Sequence, residues 1–305
     1  MTRRTDPPAK WLRGSLVALV TPFRQGRVDE RRLKSLIEWH IRQGTSGLVP
    51  CGTTGESATL SMEEHERVIE LTIEAADGRI PVIAGTGSNN TEEAVVLTRH
   101  AQKAGADAAL LISPYYNRPT QEGLYRHFRA VAEATTLPLV LYNIASRTGV
   151  NIEPETFARL SAIKTIVGVK EASGSLEQMA RIKHLCGDRF LLISGDDALT
   201  LPVLAIGGTG VISVVANILP KAVADLVRAF EQGRLREARR LHYHLLPITK
   251  TLFIETNPIP VKTAMGLMGL IDPELRLPMC PMNPVNQEKL TQMLQEYKLL
   301  RGARG

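Results

Sequence analysis

Eight short apolar runs, separated by helical patterns, constrain the fold of this 305-residue chain most strongly. Each run is nearly continuously apolar, as expected when both faces of a strand are buried in a parallel sheet. Eight strands that are each followed by a helix predict a (β/α)8 barrel, the TIM-barrel form of the α/β class. A doubly wound sheet is the weaker alternative, because it usually has fewer strands and a glycine-rich first turn. The predicted strands are Ser15–Val20, Gly47–Cys51, Pro81–Gly85, Asp107–Ile112, Pro138–Tyr142, Ile166–Lys170, Phe190–Ser194 and Gly210–Val215.

Helix signals lie between these runs. Leu33 and Ile37 belong to one apolar helical face, and Gly44 stands where a helix commonly ends. Ser61, followed three residues later by Glu64, predicts a capping box.

No strand pattern follows residue 220, and we expect the eighth barrel helix followed by three more helices, near 235–250, 258–269 and 285–300. The sequence therefore predicts a barrel over residues 14–232 and a C-terminal helical region over residues 233–300.

The charge distribution argues against a nucleic-acid partner. The net charge of +6 resides at the two ends, since residues 1–13 and 297–305 carry +3 each. A nucleic-acid binder is expected to have a basic stripe on its folded surface. We expect the basic ends to be solvated tails.

Three dispersed cysteines, Cys51, Cys186 and Cys280, favour a reducing compartment over a disulfide framework. No apolar run approaches the ~18 residues of a membrane span, and the start lacks the apolar segment of a signal peptide. The seven histidines show no zinc-ligand spacing. We expect a cytoplasmic protein with no membrane association and no metal site.

Polar residues collect after the predicted strands, at the rim where active sites of this barrel lie. Strand six ends in the ionisable Lys170, and strand eight contains Ile212. The segments after the other strands are GTTGES at 52–57, SPYYNRP at 113–119, YN at 142–143 with SRTG at 146–149, and SGDD at 194–197. This pattern predicts one active site at the rim.

Lys170 allows two interpretations. Desolvation favours the neutral form of an amine, and a neutral amine can form a Schiff base with a carbonyl substrate. Alternatively, Lys170 is a strand-end residue whose stem packs inward while its ammonium reaches water. The polar rim around it favours the first interpretation.

Six motifs resemble the 4-hydroxy-tetrahydrodipicolinate synthase (dihydrodipicolinate synthase) family of the class-I pyruvate-dependent aldolase superfamily. They are GTTGES, YYNRPTQEGLYRHF, YNIASRTG, VGVKEASG, SGDD and NPIPVK, and the resemblance covers about residues 14–295. Ala145 stands where the family usually has proline, which is expected to loosen the loop that contains Arg147.

The resemblance implies a lyase that condenses pyruvate with L-aspartate 4-semialdehyde in lysine and diaminopimelate biosynthesis. Lys170 would form a covalent imine with pyruvate, so no cofactor is expected. Tyr142 would shuttle protons, with Thr54 and Tyr116 as its relay partners. Tyr116 would come from a neighbouring subunit of a homotetramer arranged as a dimer of dimers.

The resemblance also implies how the substrates bind. Thr53 and Thr54 would hold the pyruvate carboxylate. Arg147 would bind the carboxylate of the semialdehyde, because its planar guanidinium matches that group. Gly195 and Ile212 would offer backbone contacts.

A second site is implied by family members that lysine inhibits. Glu93 would meet the α-ammonium of lysine, although Asn90 and Glu93 could instead form a helix-capping pair. Met62 replaces a residue that is often histidine. The other matching positions are Ser57, Ala58, His65, Asn89 and Tyr115.

Two other functions remain open from the sequence. One is a related Schiff-base lyase or dehydratase that acts on N-acetylneuraminate or a keto-deoxy sugar acid. The other is a catalytically silent barrel that senses lysine or pyruvate. Arg147 and the Tyr115–Tyr116 pair favour the synthase over the sugar-acid enzymes, which need hydroxyl-binding groups at those positions.

Overall fold

Eight parallel strands organise the structure, a computed structural model that describes residues 6–300. The strands are β1 Gly14–Ala18, β2 Gly47–Val49, β3 Ile83–Gly85, β4 Ala108–Ile112, β5 Leu139–Asn143, β6 Ile166–Glu171, β7 Leu191–Ser194 and β8 Gly210–Ser213. Their hydrogen-bonded order is β2-β1-β8-β7-β6-β5-β4-β3. A parallel bridge between Leu48 and Val82 joins β2 to β3 and closes the barrel. The predicted (β/α)8 barrel is therefore confirmed.

Thirteen α-helices in the described residues surround and extend the barrel. The capping box at Ser61 is confirmed: its hydroxyl accepts from the Glu64 N–H at 3.2 Å, and its own N–H donates to the Glu64 carboxylate at 3.1 Å. Gly44, with φ +82°, follows the end of α2 as predicted. The helices are α1 Pro8–Trp11, α2 Glu30–Arg42, α3 Met62–Ala76, α4 Thr91–Ala104, α5 Gln121–Glu133, α6 Ala145–Thr148, α7 Pro154–Ser161, α8 Leu176–Cys186, α9 Thr200–Ala205, α10 Pro220–Glu231, α11 Leu235–Thr251, α12 Ile259–Leu267 and α13 Pro284–Glu296.

The strands separate two buried apolar clusters, because successive side chains point to opposite faces of a sheet. Val140 and Tyr142 belong to the cluster inside the barrel. Leu141 and Val169 belong to the cluster between the sheet and the helices. Since Val169 faces the helices, the alternation directs Lys170 into the barrel.

The apolar runs extend beyond the strands that they form. The eighth strand was predicted to reach Val215 but ends at Ser213. The half-buried Asp197 carboxylate accepts hydrogen bonds from the N–H groups of Val214 at 2.9 Å and Val215 at 3.4 Å, and the chain turns into a 3-10 helix over Val215–Asn217. Burial raises the pKa of Asp197 to about 6.

A small hairpin of Phe23–Arg24 and Arg27–Val28 was not predicted, because two-residue strands are too short to show a hydrophobic period. Its turn contains Gln25 and Gly26, both with positive φ. The hairpin matters for the site because the ring of Phe23 packs under the charged groups of the C-terminal region.

The three predicted C-terminal helices are present as α11, α12 and α13. Helix α11 packs against α10, and α13 packs against α11 and α12. The last helix ends at Glu296 rather than near 300. The basic residues predicted as solvated tails include Arg3, Arg4, Arg301 and Arg304, which lie outside the described residues. Within residues 6–300, none of the helices is both long enough and apolar enough to cross a membrane.

Candidate active site

Lys170 and Tyr142 form the centre of the site. They are paired residues on adjacent strands β6 and β5. The Lys170 Nζ lies 3.9 Å from the centroid of the Tyr142 ring, and the two residues are 6% and 5% exposed. The amine is therefore buried inside the barrel against an aromatic face, which disagrees with the alternative in which its ammonium reaches water.

Gly195 leaves space for the Lys170 side chain at the end of β7. A Cβ at this position would lie 3.2 Å from Lys170 Cε and 2.7 Å from the Cβ of Ala172. The Gly195 N–H donates to the Glu171 carbonyl at 2.7 Å, so the backbone is held close to β6. Ile212, on β8, is buried in the cluster inside the barrel.

Asn257 connects two predicted site residues and was not itself predicted. Its Nδ2 donates to the Thr54 Oγ1 at 2.9 Å, and its backbone carbonyl accepts from the Arg147 Nη2 at 3.0 Å. Thr54 and Asn257 are buried, whereas Arg147 is exposed. The NPIPVK motif, which begins at Asn257, was the only sequence signal for this contact.

The loop that contains Arg147 is a helical turn, α6. The N–H groups of Thr148 and Gly149 donate to the carbonyls of Ile144 and Ala145 at 3.1 and 2.9 Å. Ala145 is the first residue of this turn, a position at which a backbone N–H needs no helical partner. The turn forms with alanine at the position where the family usually has proline, and the looser loop stays a prediction.

A buried ion pair supports the GTTGES loop from the C-terminal region. The Lys262 Nζ lies 2.6 Å from the Glu56 Oε1, with side-chain exposures of 0% and 2%. The other Glu56 oxygen accepts from the Arg276 N–H at 3.1 Å. Burial lowers the pKa of Lys262, and the Glu56 charge opposes this effect. Glu56 has a φ of +53°, so these contacts hold a left-handed backbone conformation directly after Gly55.

A second buried carboxylate lies directly after Lys170. Glu171 is fully buried and accepts from the Asn143 Nδ2 at 2.8 Å and the Gln178 Nε2 at 3.0 Å. It also accepts from the N–H and the hydroxyl of Ser173 at 3.0 and 2.9 Å. These four donors fix the end of β6 behind the lysine.

A cavity of about 450 Å³ is lined by Tyr142, Arg147, Thr53 and Asn257. The same cavity is lined by six of the seven positions of the predicted lysine site, and only Asn89 is not among the lining residues. The six are Ser57, Ala58, Met62, His65, Glu93 and Tyr115.

Within this second site, burial lowers the pKa of His65 to about 4. The Glu93 carboxylate accepts from the Ser88 hydroxyl at 2.7 Å. Asn90 caps helix α4 through the Glu92 N–H rather than pairing with Glu93. The alternative of an Asn90–Glu93 capping pair is therefore wrong.

Tyr116 is a predicted site residue whose side chain is almost completely exposed. Its side chain is 91% exposed and its φ is +71°, an uncommon backbone region for a tyrosine. Asn89 and Asn117 tie this loop together, since Asn117 donates to the Asn89 carbonyl at 2.9 Å and Asn89 donates to the Tyr115 carbonyl at 3.2 Å.

The sequence makes separate predictions for the cysteines and for a metal site. Cys51, Cys186 and Cys280 are free thiols, and burial raises the pKa of Cys51. In the part of the chain that the structure describes, no three histidine, cysteine, aspartate or glutamate side chains are grouped to hold a metal ion.

Comparison with known proteins identifies close relatives over nearly the whole chain. The model of the dihydrodipicolinate synthetase family matches residues 11–297. A 4-hydroxy-tetrahydrodipicolinate synthase of Nitratidesulfovibrio vulgaris is 59% identical over 288 residues, which are 94% of this chain and 99% of that protein.

Solved structures show the same fold. Dihydrodipicolinate synthase from Aquifex aeolicus superposes with a TM-score of 0.94 at 50% identity, covering 95% of this chain and 99% of its own. A chloride-inhibited synthase from Acinetobacter baumannii, complexed with pyruvate, gives 0.93 at 46% identity, covering 94% and 99%. A synthase from Cyanidioschyzon merolae with lysine bound gives 0.91 at 41% identity, also covering 94% and 99%.

Proposed function

This chain belongs to the dihydrodipicolinate synthetase family, and from that premise we propose that it condenses pyruvate with L-aspartate 4-semialdehyde. The product is 4-hydroxy-tetrahydrodipicolinate, a precursor in lysine and diaminopimelate biosynthesis. The observation that carries the proposal is the buried Lys170 amine, 3.9 Å from the centroid of the Tyr142 ring inside the barrel. An amine held away from water beside a proton-transferring phenol suits Schiff-base chemistry.

The reaction needs no cofactor, because Lys170 supplies the electron sink. Its amine adds to the pyruvate carbonyl, and loss of water gives an imine. Loss of a methyl proton gives an enamine, whose carbon attacks the aldehyde of the second substrate. The amino group of that substrate then attacks the imine carbon and releases Lys170. One water leaves for each pair of substrates.

The surrounding residues supply protons and anchor the substrates. Tyr142 moves protons during imine formation and ring closure, and Thr54 is its relay partner. Thr53 and Thr54 hold the pyruvate carboxylate with their backbone N–H groups. Arg147 binds the carboxylate of the semialdehyde, supported by its own contact with the Asn257 carbonyl. Gly195 and Ile212 contribute backbone contacts.

We propose that a second copy completes the relay by inserting Tyr116. The 91% exposure and left-handed backbone of this tyrosine support the idea, since a large exposed aromatic side chain is typical of an interface. A homotetramer built as a dimer of dimers supplies such a neighbour. The three free cysteines support a cytoplasmic location.

We also propose lysine as a feedback inhibitor. Six of the seven matching positions line the cavity that Tyr142 also lines, and Glu93 offers a carboxylate to the α-ammonium. The related synthase from Cyanidioschyzon merolae has lysine bound. Millimolar lysine is expected to lower turnover, with a weaker effect in E93Q. An unchanged rate across the titration would remove this proposal.

The central test is reduction by borohydride in the presence of pyruvate, followed by peptide mass analysis. We expect a pyruvate adduct on Lys170 and none in K170R. Adding aspartate 4-semialdehyde should then give turnover, whereas N-acetylneuraminate and keto-deoxy sugar acids should not be cleaved. A folded protein that forms no adduct would rule out all Schiff-base functions, and an adduct without condensation would point to a sugar-acid enzyme.

A further inference from the structure

The Thr54 hydroxyl has a fixed direction in its hydrogen bonding. Thr54 is buried, and its Oγ1 lies 2.9 Å from the Asn257 Nδ2. An amide nitrogen can only donate, so the threonine oxygen must accept in this contact. The single proton of the hydroxyl is therefore left to be donated to another group.

Asn257 is well placed to enforce this direction. It is 4% exposed, and its backbone carbonyl accepts from the Arg147 Nη2 at 3.0 Å. Its amide nitrogen makes the contact with Thr54, and its amide oxygen has no hydrogen-bond partner among the described residues. Lys262 is five residues further on and pairs with the buried Glu56, which ties the segment that contains Asn257 to the loop that contains Thr54.

Direction matters for a proton relay, because a hydroxyl can pass a proton only if it accepts from one side and donates to the other. We propose that Asn257 is a positioning residue that keeps the Thr54 hydroxyl available as a donor, and in the proposed relay this donor serves Tyr142. This inference rests on the proposed condensation. Asn257 itself need not touch either substrate, since it acts through the Thr54 hydroxyl.

The decisive comparison is the kcat of N257D against the kcat of N257A, because a relay role and a packing role predict opposite orders of these two values. Asp has nearly the shape of Asn, but its carboxylate only accepts and would capture the Thr54 proton. Ala leaves a small void and lets the hydroxyl rotate freely. We expect kcat to fall about 100-fold in N257D and about 10-fold in N257A, within the range of proton-transfer effects. A packing role predicts that N257A is the worse variant.

The pH profile gives a second readout that packing would not move. Protonating the introduced carboxylate restores a donor toward Thr54. The kcat of N257D relative to the unchanged protein should therefore rise as the pH falls, whereas the ratio for N257A should stay constant. The KM for the semialdehyde should change little in both variants, because Arg147 is held by a backbone carbonyl.

A double-mutant cycle tests whether the effect passes through Thr54. In a T54V background, where no hydroxyl remains to be captured, N257D should cost no more than N257A. N257L keeps the volume without a donor and serves if N257D does not fold. A kcat of N257L within about twofold of the unchanged protein would overturn the inference, as would a pH-independent N257D that is no worse than N257A.

The pyruvate adduct on Lys170 separates the two possible failures. An unchanged protein that does not condense the substrates would disprove the proposed function itself. Suppose instead that the protein without substitutions is active, that both variants form the adduct, and that N257A has a lower kcat than N257D. That result would disprove only the role of Asn257.

Discussion

Replacing Lys262 with methionine tests how strongly the C-terminal region holds the GTTGES loop. In K262M the Glu56 carboxylate keeps the Arg276 N–H at 3.1 Å but loses the ammonium at 2.6 Å. Its side chain is 2% exposed, so water cannot replace the lost partner without displacing the loop. The substitution therefore leaves a buried charge without its counter-ion.

The expected cost follows from this burial. Breaking a buried ion pair by removing one partner costs about 3–5 kcal/mol, because the remaining charge stays desolvated. The double variant E56Q/K262M removes both charges and should recover most of that loss. Since Glu56 lies two residues after Thr54 in the same loop, a shifted loop should also lower kcat/KM for pyruvate by roughly 10- to 100-fold in K262M.

The assay is urea unfolding at one fixed protein concentration, because assembly would otherwise shift the apparent stability. K221M is the matched control: Lys221 pairs with Asp225 at 2.6 Å, but its side chain is 68% exposed. This control should lose less than about 1 kcal/mol and no activity. A K262M protein as stable as K221M, with unchanged kcat/KM, would refute the reasoning.

Three further predictions concern the rest of the structure. A145P should stabilise the protein by about 0.4–1 kcal/mol in urea unfolding, because the first position of α6 suits proline. Turnover should not change, and a destabilised protein would contradict this prediction. G195A should abolish borohydride trapping of pyruvate while circular dichroism stays unchanged, since the new Cβ would lie 3.2 Å from Lys170 Cε; normal trapping would count against it. Burial lowers the pKa of His40 from 6.5 to about 3, so the native state stays neutral while the unfolded chain takes up a proton, and stability is lost as the pH falls through this window. In H40N that loss should be shallower by up to about 1.4 kcal/mol per pH unit, and an unchanged slope in acid urea titrations would show that His40 is not responsible.

The barrel could be predicted because its strands carry their own signal. A strand buried on both faces must be apolar throughout, and eight such runs leave few alternatives. The ends of the strands were less predictable, because the apolar sequence can continue past the last hydrogen bond of the sheet. Val214 and Val215 look like strand residues, but the distant carboxylate of Asp197 draws their N–H groups away.

The polar rim was predictable for a similar reason, because the strand ends all meet at one edge of the barrel. The contacts of Asn257, Lys262 and Glu171 could not be predicted from the sequence. Each depends on a partner that only folding brings close: Thr54 lies 203 residues from Asn257, and Glu56 lies 206 residues from Lys262. Local periodicity contains no information on such pairs, although all of these residues lie within the quoted motifs.

The two-part organisation of the chain has a consequence for recombination. The predicted boundary near residue 232 falls between α10 and α11, where the connection is short. Yet Asn257, Lys262 and Arg276, all beyond that boundary, contact Thr54, Arg147 and Glu56, all before it. A chimera that joins this barrel to the C-terminal region of a distant relative would therefore exchange residues that hold the candidate site in place along with the helices. The barrel and the C-terminal region should therefore be exchanged together in any engineered variant.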